Sequence, residues 1–158
     1  MYRSRNSQTG YHMQFARPLL ALTILLAAGA AFAAQATTLT DATALMATPD
    51  FGSANVTITS DTDDTLTSLT SPCCATVELH TSSMKDGVMS MRKLDKLDLK
   101  AGVPVAIAGD HGMGDSMHLM LIDAHTAMKP GAQFPITLHF VKAGAQTATF
   151  TVVARKTK

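Results

Sequence analysis

From Val56 onward the chain keeps returning to apolar residues at every second position. Residues 56–59, 76–80, 103–107, 135–141 and 148–153 either alternate apolar with polar or are rich in β-branched side chains. This period of two predicts half-buried strands. His118-Leu119-Met120-Leu121-Ile122 and Val88-Met89-Ser90-Met91 follow the same rule. Turn chemistry separates the strands at residues 61–64, 85–87, 100–102, 129–131 and 142–144, the last four ending in glycine. No segment reads as an amphipathic helix, apart from a single helical turn near residues 41–47. Short strands with frequent turns predict an antiparallel β-sandwich or barrel.

The N-terminal segment follows another pattern. Arg3, Arg5 and Arg17 precede an almost unbroken apolar run over residues 18–30, and Ala31-Phe32-Ala33 supplies small residues at the spacing of signal peptidase. Residues 1–33 therefore read as a cleavable secretory signal. The run is shorter than the ~20 residues of a membrane span and ends in alanines, without basic stop-transfer residues. No Cys stands at the cleavage site to take a lipid, and translation starts at either Met1 or Met13.

Residues 34–158 have the length of one domain with its own core. They carry ten Lys plus Arg against twelve Asp plus Glu, a balance of −2. With no basic stripe and no interleaved aromatics, nothing in them points to nucleic acid.

The candidate chemistry is soft. Eight methionines follow the leader and six of them fall between Met84 and Met120, while three of the five remaining histidines fall between His80 and His118. Thioether sulfur and imidazole nitrogen suit Cu(I), which hard oxygen ligands hold poorly. A thioether needs no deprotonation and forms no disulfide, so such a site persists where thiols oxidise. On a strand, His118 and Met120 share one face while Leu119 and Leu121 face the core. The expectation is that His118 and Met120 project at a surface or loop edge, that Met89 and Met91 share a face, and that His80 ends its strand pointing away from Val77 and Leu79, beside Glu78. Each residue alone is better read as packing; together they favour a metal.

The runs Val77-Glu78-Leu79-His80-Thr81, Met84-Lys85-Asp86-Gly87-Val88-Met89-Ser90-Met91-Arg92 and His118-Leu119-Met120-Leu121 resemble the periplasmic PCu(A)C-type copper chaperones. That family's spacing is His, ten residues, Met, twenty-one residues, His-x-Met. Here the first gap is ten and the second is twenty-six, residues 92–117, with the surplus in the Gly-rich stretch 109–117. The resemblance implies an all-β, cupredoxin-like (immunoglobulin-like, Greek-key) antiparallel β-sandwich. It implies Cu(I) as transported cargo, held by His80, Met91, His118 and Met120. It further implies a periplasmic carrier, not an enzyme, delivering copper to the CuA subunit of cytochrome c oxidase directly or with a thiol-containing assembly factor.

Two features lie beside that pattern. His111, Met113 and Met117 read first as an irregular loop covering apolar surface, ahead of a second weaker site or relay. Cys73-Cys74 is compatible with a vicinal disulfide, an accessory soft site or simple burial. A blue-copper electron carrier would need a later Cys, and none follows Cys74. No nucleophile–base set marks an enzyme. A structural or adhesive immunoglobulin-like domain is the competing reading, and it leaves the His/Met pattern unused.

Overall fold

The turn residues decide where the strands stop. Gly102, Gly131 and Gly144 each adopt a positive φ, between 71° and 88°, a region that costs glycine nothing and other residues a steric clash. The structure, a computed structural model, describes residues 36–109 and 116–155. The segment expected to be a secretory signal and the His111/Met113 segment lie outside the described residues.

Ten strands follow in order: β1 (Thr37–Met46), β2 (Phe51–Ser60), β3 (Asp64–Thr70), β4 (Cys74–Lys85), β5 (Val88–Lys93), β6 (Leu97–Leu99), β7 (Val105–Ile107), β8 (Ser116–Ala124), β9 (Gln133–Phe140) and β10 (Gly144–Val152). The described residues contain no helix, so none among them is long and apolar enough to cross a membrane. The sheet runs β5-β4-β8-β2-β1-β10-β9-β3-β6, with β7 also on β2. The consecutive strands β3 and β4 also come close to each other, although they are not hydrogen-bonded neighbours in the sheet. The inward faces bury Val56, Ile58, Leu119, Leu121, Ile136, Leu138 and Phe150, as the alternation predicts.

The all-β expectation holds, with three corrections. One pair, β1 with β10, is parallel, so the sheet is mixed. The free edge of the first strand is met by the last strand running the same way. The helical turn expected near residues 41–47 is strand: β1 carries a register shift between Thr40 and Thr43, with Asp41 at φ 56°. A bulge adds a residue and breaks the alternation, and Asp is among the few non-glycines that enter the left-handed region readily. The strand expected over 103–107 begins only at Val105, because Pro104 has no N–H for a ladder.

Asp64 ties the start of β3 to the β9–β10 turn. Its carboxylate accepts from the backbone N–H of Thr65 (2.7 Å), Lys142 (2.9 Å) and Ala143 (2.9 Å). Burial pushes its pKa up, but these three amides, helped by the Lys142 charge, hold it below the ordinary carboxylate value. Its stabilisation is thus complete above the unfolded Asp value of ~3.9 and is lost as pH falls through the lower folded value. Asp64→Ala leaves three part-buried backbone amides without this acceptor and should cost about 1–3 kcal/mol at pH 7. In denaturant melts, the gap between wild type and variant should shrink below about pH 4 as the wild-type carboxylate takes its proton. An equal gap at pH 7 and pH 3 would show that the charge contributes nothing.

Candidate metal centre

The site is built by strand register. Strands β4 and β5 form a hairpin whose two turn residues, Asp86 (φ 53°) and Gly87 (φ 77°), are both left-handed, the geometry that matches strand twist. The hairpin sets His80 opposite Lys93, Ser82 opposite Met91 and Met84 opposite Met89. On the other edge of β4, strand β8 sets Ser116 opposite Ser82, His118 opposite His80 and Met120 opposite Glu78. Opposed residues share a face, as do residues two apart on one strand. All four candidate ligands therefore lie on one face in three adjacent rows: Met91 in the first, His80 with His118 in the second, Met120 in the third. The ten-residue gap from His80 to Met91 is what carries the chain around the hairpin to this alignment.

Two expectations about exposure need correction. His118 and Met120 do share a face, but they are buried, at 8% and 7% exposure, and do not project at an edge. Strand β8 lies between β4 and β2, and the chain before residue 110 covers it: a Cβ on Gly109 would stand 3.1 Å from the His118 Cβ. Gly109 is itself held by a hydrogen bond from its N–H to Asn55 Oδ1, 3.1 Å. His80 does not end its strand, because β4 runs on to Lys85. The open side of the site is Met91, at 54% exposure.

His118, Met91 and Met120 line one pocket of about 270 Å³, together with Met84, Met89 and Phe51. His80 lies beside this pocket and is not part of its lining. Its ring meets His118 with centroids 6.0 Å apart and planes tilted by 47°.

Glu78 orients His80. Its Oε2 is 2.9 Å from His80 Nε2 and its Oε1 accepts from Lys93 Nζ at 2.7 Å. The Lys93 hydrogen bond, then that of His80, hold the Glu78 pKa below its ordinary value, and the Glu78 hydrogen bond in turn raises that of Lys93. An ionised carboxylate only accepts, so the proton of the neutral imidazole sits on Nε2. The lone pair is left on Nδ1, which is buried and has no hydrogen-bond partner. A buried acceptor without a partner is costly, and a carboxylate on the far nitrogen is the usual support of a metal-binding imidazole. The donor set is two imidazoles and thioether sulfurs. Among the described residues, no group of three or more His, Cys, Asp or Glu is placed to hold a metal. This chemistry fits a soft monovalent ion and suits a hard one poorly.

The cysteines stand apart from these rows. Cys74 opens β4, six residues before His80, which at ~3.3 Å per residue is about 20 Å along the strand. Both thiols are free and share a hydrogen bond of 2.7 Å. Burial, and then the Cys73 thiol beside it, pushes the Cys74 pKa up to about 12, so it stays protonated at neutral pH and makes a poor ligand. Met117 is partly buried against the core, on the face opposite His118. That agrees with a packing role for Met117.

Several solved structures share this fold. The copper-bound PCuAC domain from PmoF2 is 20% identical, with 75% of this chain and 93% of that chain covered and a TM-score of 0.57. The apo PmoF2 PCuAC domain is 20% identical, with 76% and 94% covered and a TM-score of 0.58. CuI-DR1885 from Deinococcus radiodurans is 22% identical, with 80% and 83% covered and a TM-score of 0.55. No curated protein sequence matches the chain. Residues 29–152 match the family described as "Putative lipoprotein LpqE-like". Cys73, the first cysteine of this sequence, lies in the turn that precedes β4. With that match spanning most of its length, the chain belongs to the LpqE-like family, and the resemblance to PCu(A)C-type proteins read from its motifs holds at the level of the fold.

Proposed function

We propose that the protein is an exported Cu(I) metallochaperone whose ligands are His80, Met91, His118 and Met120. The observation that carries this reading is the cross-strand pairing of His80 with His118, with an unpartnered Nδ1 on one ring and a thioether in the row on either side. The copper named in the structural neighbours' descriptions supports the same cargo. The His–Met donor set favours Cu(I) over Cu(II) and needs no thiolate. A structural or adhesive role would leave the unpartnered nitrogen without a purpose. The reading requires no chemistry beyond binding and release, and the protein acts as a carrier, not an enzyme.

For the destination, we extend the reading to the periplasm and to the CuA subunit of cytochrome c oxidase or its thiol-containing assembly factor. Exposed Met91 would leave first as the recipient's thiolates or imidazoles enter, with the buried His118 and Met120 releasing last.

Anaerobic Cu(I) titration against a chromophoric competitor should show one tight equivalent. Met91→Leu and Met120→Leu each remove a sulfur at nearly constant volume, at less than about 1.5 kcal/mol of stability, and each should lower affinity by about tenfold or more. Undiminished affinity in both variants would overturn the assignment.

Glu78→Gln keeps the side-chain shape but frees the imidazole tautomer, and should weaken Cu(I) binding by about 10–100-fold. Unchanged binding would mean that Glu78 is only an ion-pair partner of Lys93.

Mixing the copper-loaded protein with an apo CuA domain should move the metal without free Cu(I) appearing. If a fast chelator intercepts all of it, direct handover is wrong.

A further inference from the structure

Beyond the four ligands, the same sheet face carries two more thioethers that the proposed site does not use. Met84 and Met89 are directly opposed across the hairpin, one row nearer its tip than Met91. Opposed side chains have Cβ atoms about 4.5–5.5 Å apart, and long side chains also reach the diagonal neighbour at about 7–8 Å. The sulfurs of Met84, Met89 and Met91 can thus converge on a single ion. All three line the pocket that holds His118 and Met120. Exposure is high at the three tip thioethers, 42% at Met84 and 54% at both Met89 and Met91, and drops to 8% and 7% at His118 and Met120. Large thioethers left in water at a hairpin tip add little to folding, and Met packs flexibly enough to follow an ion.

We propose that Met84, Met89 and Met91 form a second, outer subsite for a soft monovalent cation, which receives Cu(I) at the exposed hairpin tip and passes it inward. The proposal rests on the copper reading above. Met91 belongs to both sets of ligands and acts as the pivot. The ion moves from the three-sulfur set to the inner site by exchanging Met84 and Met89 for His80, His118 and Met120. It remains Cu(I) throughout, and no thioether gains or loses a proton. Three neutral sulfurs without an imidazole bind more weakly than the inner set, so the outer subsite fills second at equilibrium although it is met first.

The experiment uses Ag(I), a redox-inert stand-in for Cu(I), with protein carrying carbon-13 in its methionine methyl groups. The expected result is two steps. The first equivalent shifts the Met91 and Met120 methyl resonances, and the second shifts those of Met84 and Met89. Met84→Leu/Met89→Leu should lose the second step and keep the first, and retention of the first also shows that the variant is folded. Met84 and Met89 resonances unmoved at two equivalents, or a second step that survives in the variant, would overturn the outer subsite and leave the inner site standing. Movement of Met84 and Met89 with the first equivalent would also overturn it, by making them primary ligands. Absence of any step would remove both the subsite and the copper reading.

Discussion

The antiparallel register between β4 and β8 is the constraint on which the rest of the molecule depends. It places His80 beside His118 on one face while Val77, Leu79, Leu119 and Leu121 are buried on the other. A slip of one residue would exchange the two faces of a strand, sending imidazole and thioether into the core and leucine into the pocket. The buried leucines and valine therefore fix the geometry of the site. The same side-chain packing that stabilises the sheet selects which polar atoms face one another, so the face that carries the candidate ligands is a by-product of core formation and needs no separate scaffold.

Much of this was readable from sequence because strands obey a period of two. The faces of His118 and Met120, the Asp86-Gly87 hairpin and the glycine-ended turns all follow from local rules. What sequence could not supply was what lies over each strand. Whether a side chain is open or covered depends on where its strand sits in the sheet order, and β8 proved to be interior. Strand β1 escaped notice because Asp41 sits at a bulge, which shifts the alternation partway through. Glu78 was placed correctly beside His80, but its role required knowing that Lys93 would arrive from β5 and share the same carboxylate. The signal was there in retrospect: an acid two residues before a candidate ligand on a strand shares its face.

The thioethers of the pocket and the thiols of Cys73 and Cys74 are set apart by position and by burial. Cys74 lies at the far end of β4, where desolvation holds its thiol neutral, while the thioethers, which carry no proton, need no such control. Sulfur is therefore present at both ends of one strand in two different states of reactivity. The methionine end lines the pocket that also holds His118.

The parallel pairing of β1 with β10 has a consequence for how the chain reaches this structure. Thr43 lies beside Thr151, so a strand made at the beginning of the domain borders one made at its end. A growing chain emerges with its N-terminus first, and until the last strand appears β1 has one edge with unpaired amides and carbonyls. Closure of so distant a contact is slow, and an open edge invites pairing with other chains. The interval between synthesis of the two strands is thus the period in which this sheet is most exposed to mispairing. It ends when residues near Thr151 join the ladder.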